Sequence, residues 1–116
     1  MRISKSILHE LNVGVVEGYQ NGQHASLAWG ASDFVGNDSS DNYGFGWLKF
    51  KVHATNFKGW VRCALNSSRK IDVTFEAFDN KSAEYTIYKK LTNIVHTELA
   101  AAIDKILEQP PEEVDV

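Results

Sequence analysis

The sequence predicts an α+β fold. This is a two-layer domain in which an antiparallel sheet of five to six strands carries an N-terminal and a C-terminal helix packed on one face. Three observations predict it. Polar and apolar residues alternate through three consecutive segments between residues 47 and 78. The apolar period lengthens to that of a helix at both ends of the chain. Finally, 116 residues suffice for one hydrophobic core but not two. A hydrophobic fraction of 43% with 23% charged residues is ordinary for a globular chain and excludes disorder. The domain is expected to span 1–109, with 110–116 as an acidic tail behind Pro110-Pro111.

At the N-terminus Ile3, Ile7, Leu8 and Leu11 recur at helical spacing, with Ser4 or Ser6 as caps and Gly14 as the stop. The next segment reads as a hairpin turning at Asn21-Gly22, a pair suited to a type I′ turn. Pairing Gln20 with Gln23 sets Gly14 opposite Trp29 and Val16 opposite Leu27, so that the glycine leaves space for the indole. Three strands then alternate. Leu48, Phe50, Val52 and Ala54 face one way and Trp47, Lys49, Lys51 and His53 the other. Val61, Cys63 and Leu65 oppose Trp60, Arg62 and Ala64; Ile71, Val73, Phe75 and Ala77 oppose Asp72, Thr74, Glu76 and Phe78. Loops at 56–59 and 66–70 join them. The first pairs Thr55 with Trp60, His53 with Arg62 and Lys51 with Ala64; the second sets Trp60 opposite Glu76 and Arg62 opposite Thr74. A last strand, EYTIYKKL, places Tyr85, Ile87 and Leu91 inward on the same register. Val95, Leu99, Ala102, Ile103, Ile106 and Leu107 form the stripe of the closing helix.

Composition narrows the function. A net charge of −3 gives no basic footprint for duplex binding. No apolar run approaches the ~20 residues of a membrane span, and the N-terminus lacks the apolar region of a signal peptide, so the expected location is the cytoplasm. Cys63 is the single cysteine, which rules out an intramolecular disulfide. Its alternation with Val61 and Leu65 marks it as a buried small hydrophobe.

The segment VGNDSSDNYGFGW (35–47) invites a search for a metal or phosphate site. Counted as a calcium loop from Asp38, it has Tyr43 where the glycine belongs and Lys49 where the closing glutamate belongs. It matches neither a P-loop nor G-x-G-x-x-G, and it leads into a strand rather than a helix. It reads as a polar connection, while Tyr43, Phe45 and Trp47 bring to its end the aromatic surface that contact loops use. His9-Glu10 fails the HExxH pattern because Val13 stands in the closing position. His24, His53 and His96 share no ligand spacing, and no G-x-S-x-G elbow exists. No metal, cofactor or catalytic residue is expected.

What remains is the outward sheet face, with Trp47, Lys49, Lys51, His53, Trp60 and Arg62 beside Asp72 and Glu76. The expected partner-binding residues are Tyr43, Phe45, Trp47, His53, Trp60 and Arg62, since interfaces concentrate affinity in aromatic and arginine anchors. Lying outward, Trp60 and Arg62 should tolerate truncation without loss of the fold. The function expected is that of a small protein-binding module occupying a partner protein's surface, of the inhibitor, immunity-protein or mobile-element counter-defence type. The alternatives are a single-stranded nucleic-acid binder using the same aromatic and basic face, and a small hydrolase or ligand-binding domain with its pocket between sheet and helix.

Overall fold

The computed structural model describes residues 3–39, 45–79 and 84–109. Helix α1 (Ile3–Val13) and helix α2 (Gly22–Ala28) precede the strands β1 (Ser32–Asn37), β2 (Trp47–His53), β3 (Lys58–Leu65), β4 (Ile71–Asp79) and β5 (Glu84–Ile94). A 3₁₀ turn (His96–Glu98) then leads into helix α3 (Leu99–Leu107). The strands form one antiparallel meander in the order β1-β2-β3-β4-β5. The α+β class and the antiparallel sheet are as the alternation predicts, with five strands. All three helices cover the inner face: Ile7 and Leu11 of α1, Ala25 of α2 and Leu99, Ile103 and Leu107 of α3 share one buried cluster with Leu48, Phe50, Val61, Val73 and Phe75. The acidic tail 110–116 and Tyr43 lie outside the described residues.

The expected hairpin over residues 13–34 is not formed. Asn21-Gly22 starts a helix instead. Asn21 is extended (φ −164°, ψ −178°), and its side chain accepts a hydrogen bond from His24 N–H at 3.0 Å, as an N-cap does. Gly22 is required for a different reason than a turn: a Cβ there would lie 1.8 Å from the Leu11 carbonyl oxygen. The glycine lets α2 touch the backbone of α1, and Asn-Gly serves that close approach as well as it serves a hairpin. Trp29 therefore faces no Gly14 across a ladder. It ends α2 fully buried, with its ring 6.3 Å from that of Phe50 and 14° from parallel, and Nε1–H donates to Asp104 Oδ1 at 2.9 Å. Gly14 packs instead under Ala100, whose Cβ would be 2.9 Å from an added methyl.

The caps also differ from expectation. Helix α1 starts at Ile3, ahead of both serines proposed as caps, and its first turn is closed from outside. Ser4 N–H and Ser4 Oγ–H both donate to Asp38 Oδ1, at 2.8 and 2.7 Å. A carboxylate at a helix N-terminus satisfies donors that have no partner within the helix and opposes the positive end of the dipole. This answers part of the question raised by 35–47: Asp38 fastens α1 to the end of β1. Asp38→Ala is expected to lower the unfolding free energy by about 1 kcal/mol, the usual worth of a cap. A urea midpoint identical to the parent's would show that this contact contributes nothing.

The β2–β3 turn lies two residues earlier on β2 and β3 than expected. His53 pairs with Lys58, Lys51 with Trp60 and Lys49 with Arg62, and the turn is Ala54–Phe57, closed by Ala54 N–H to Phe57 O at 3.0 Å. Helix α3 explains the choice. Asn56 donates to α3's end from its backbone N–H (Leu107 O, 2.9 Å) and from Nδ2 (Ile106 O, 3.2 Å; Gln109 O, 2.8 Å), so the turn satisfies carbonyls that the helix cannot. Phe57 enters the core edge-on to Phe75, with ring centroids 5.9 Å apart. A two-residue slip leaves every side chain on its expected face.

Strand β5 departs in the way that matters most for the surface. Between the pairs Phe75–Lys89 and Glu76–Ile87 it uses one residue more than β4, a bulge at Tyr88, and one extra residue exchanges the two faces. Tyr85 and Ile87, expected inward, are 58% and 60% exposed, and Ile87 lies opposite outward-facing Glu76. Tyr88 stacks on Phe57 at 5.1 Å, while Leu91, opposite Val73, stays against the core as expected. Val95 is 40% exposed and falls outside the α3 stripe, because the chain makes a 3₁₀ turn before the helix begins.

Candidate functional site

The outer face of the sheet is formed by the outward positions of β1–β5, where β1 sets Ser32, Val35 and Asn37 opposite Lys51, Lys49 and Trp47, and among the described residues no helix residue joins it. Alternation along β2 and β3 brings Trp47, Lys49 and Lys51 beside Ala64, Arg62 and Trp60 respectively, since directly paired residues share a face. The small Ala64 opposite Trp47 gives the indole room to lie over its neighbours. Trp60 and Arg62 in turn lie opposite Glu76 and Thr74, the register expected from the sequence.

These side chains form a ladder of alternating cations and rings. The Arg62 guanidinium carbon is 5.1 Å from the Trp47 ring centroid, and Lys49 Nζ lies 5.7 Å from Trp47 and 4.9 Å from Trp60. These distances fall within cation–π range. Arg62 Nη1 also donates to Glu76 Oε1 at 2.7 Å, the diagonal neighbour across the β3–β4 pair, and the two side chains are 10% and 16% exposed. Here the structure corrects the sequence reading. Arg62 was expected to be a freely exposed anchor; it is buried by the tryptophan beside it and by its own ion pair. Its truncation would leave Glu76 largely covered and without its cation, so it would disturb the fold as well as the surface.

Trp47, Trp60 and Arg62 are thus brought together as the sequence suggests. His53 is exposed at the far end of β2, opposite Lys58, and its backbone N–H donates to Trp29 O at 2.9 Å. Phe45 is 49% exposed and continues the β2–β3 pairing through its N–H to Leu65 O at 2.9 Å, which puts it at the Trp47 end. Sequence reasoning missed Lys58, which the misplaced turn had assigned to a loop, and Tyr85 and Ile87, which the bulge turned outward; Lys90, opposite Thr74, alternates outward beside Leu91 in the expected register as well. Period-two counting carries no signal for such a bulge.

Asp72 and Glu76, the two carboxylates of the outer face, are both structurally employed. Asp72 Oδ1 accepts from Asn66 Nδ2 and from Asn93 N–H, each at 3.0 Å, which ties the β3–β4 turn to the end of β5. Glu76 holds Arg62. Cys63 is buried as expected, and burial pushes its thiol up to about 12, so no thiolate is present at neutral pH. The native protein is therefore expected to leave the thiol reagent DTNB uncoloured, and to release one equivalent of thionitrobenzoate once unfolded in guanidinium. Rapid reaction of the native chain would contradict its place in the core. Among the described residues no three His, Cys, Asp or Glu side chains gather as metal ligands would, and no helix is long and apolar enough to cross a membrane.

Compared with known proteins, the chain matches no family model, no curated protein and no solved structure.

Proposed function

We propose that this chain is a non-catalytic protein-binding module of the cytoplasm, acting by occupying a partner protein's surface as inhibitors, immunity proteins and counter-defence proteins do. The observation that carries the reading is the Arg62–Trp47–Lys49–Trp60 ladder, set on a sheet face that no helix among the described residues covers. Tryptophan and arginine are the residues on which interface energy concentrates. Here packing and an ion pair hold them in place before any partner arrives, which reduces the ordering cost of association. The same ladder disfavours the single-strand reading. Bases stack on open aromatic faces, and these rings are already engaged by Lys49 and Arg62.

The test is affinity capture from source-cell extract on the immobilised chain, with Trp60→Ala as control and mass spectrometry as readout. The expected result is a protein retained by the parent and lost with Trp60→Ala. Saturable quenching of tryptophan fluorescence by a single-stranded oligonucleotide at moderate salt would overturn the proposal.

A further inference from the structure

The charge on the outer face runs opposite to that of the chain. The protein carries 12 basic and 15 acidic residues, a net −3. The outward paired positions of β2–β5 carry Lys49, Lys51, Lys58, Arg62 and Lys90 against Asp72 and Glu76, five cations to two carboxylates, a surplus of three. The rest of the chain therefore carries six more negative charges than positive. Both outward carboxylates are also engaged within the face. Glu76 is bound to Arg62, and Asp72 accepts from Asn66 and Asn93. Lys51, Lys58 and Lys90 are exposed and, among the described residues, face no carboxylate in an ion pair. They frame the tryptophan ladder: Lys51 is paired with Trp60, Lys58 lies two positions before it on β3, and Lys90 stands opposite Thr74 on β5.

From this segregation we infer that the partner presents an acidic protein surface, with Asp and Glu side chains ringing an apolar spot that receives Trp60. The inference rests on the protein-binding reading above and names the chemistry of its partner. An aromatic centre with a charged rim is how interfaces divide affinity from steering: the rings supply contact energy, and the rim lysines speed encounter and reject unlike partners. A chain that is acidic elsewhere would be repelled by an acidic partner in every other orientation, so the charge pattern selects this face. Protein carboxylates fit better than phosphates. A surplus of three is small for a polyanion, the two outward carboxylates oppose one, and the rings are engaged by cations.

The probes are poly-L-glutamate, an oligodeoxythymidylate and vesicles of mixed phosphatidylserine and phosphatidylcholine, titrated separately while tryptophan fluorescence is followed. Poly-L-glutamate is expected to perturb the emission saturably and more tightly than either other probe. Binding should weaken about tenfold on raising salt from low to several hundred millimolar. It should weaken at least as much in the triple variant Lys51→Glu, Lys58→Glu, Lys90→Glu. All three side chains are exposed, so the variant is expected to melt within a few degrees of the parent. The corresponding triple Gln variant, which removes charge without reversing it, serves if the Glu variant misfolds. Tighter binding of the oligonucleotide or the vesicles would overturn the inference in favour of a phosphate partner, and no response to poly-L-glutamate would overturn it outright. In the extract experiment, a protein lost with Trp60→Ala but retained by the charge variants would sink the acidic-partner inference while leaving the protein-binding function standing.

Discussion

Trp29→Ala is expected to lower the free energy of unfolding by about 3–5 kcal/mol, the usual cost of deleting a fully buried aromatic side chain. Such domains are held by only about 5–15 kcal/mol, so the variant should be largely unfolded a little above room temperature. The indole is fully buried and fills the space between α2, Phe50 and α3. Its removal opens a cavity and also takes the Nε1–H donor from Asp104, which is 2% exposed and keeps Gln109 Nε2 at 3.2 Å. Trp29→Phe separates the two effects. It keeps most of the volume and loses the donor, and should cost about 1–3 kcal/mol, the range for stranding a buried polar group. Urea unfolding followed by far-ultraviolet circular dichroism measures both. If Trp29→Ala kept the parent's midpoint, the indole would not be in the core, and the helical course of residues 22–28 would be wrong with it.

That result also tests the element that the sequence conveyed least well. Periodicity places Leu48, Phe50, Val61, Val73 and Phe75 inward without help from tertiary structure, because along β2–β4 these residues alternate with the more polar ones of the outer face. Residues 22–28 offer no such pattern. Helix α2 has seven residues and buries only Gly22, Ala25 and Ser26, none of them large, so its apolar signal is weak and the Asn-Gly pair dominates the local reading. The information that decides between turn and cap, a Leu11 carbonyl pressed against Gly22, is a contact across the fold. The β5 bulge is similar. It stands at Tyr88, 57% exposed and stacked on Phe57, and puts Tyr85 and Ile87 on the outer face.

The site was legible to the same degree and for the same reasons. Trp47, Trp60 and Arg62 follow from alternation on regular strands, and a two-residue error in the β2–β3 turn moved none of them to the other face. Lys90 follows from alternation with Leu91, but Lys58 depends on where the turn falls, so the full positive surplus that frames the ladder emerges only from the three-dimensional pairing. The burial of Arg62 needed side-chain geometry: its ion pair with Glu76 is diagonal, two residues away from the direct partner Thr74.

Phe75→Ala and Trp60→Ala should have opposite consequences, and the contrast locates the two faces of the sheet. Phe75 is fully buried, opposite Val61 and edge-on to Phe57. Its truncation is expected to cost about 3–5 kcal/mol and to abolish partner capture only because little folded protein remains. Trp60 is half-buried on the outer face, beneath Lys49 Nζ at 4.9 Å, and its loss removes a cation–π contact and cross-strand packing but opens no cavity in the core. Contacts of that kind are worth about 0.2–1 kcal/mol each, so the melting curve should shift by a few degrees. Capture should nevertheless fall at least about thirtyfold, the equivalent of the ~2 kcal/mol that defines an interface anchor. Arg62→Ala is a poorer probe, because its loss leaves the largely covered Glu76 without its cation and would lower stability and binding together. Thermal unfolding and capture measured on the same preparations give the answer. If Trp60→Ala proves as unstable as Phe75→Ala, Trp60 belongs to the core and the outer face is not the binding surface. If it is stable and binds as the parent does, the anchor lies elsewhere on the chain.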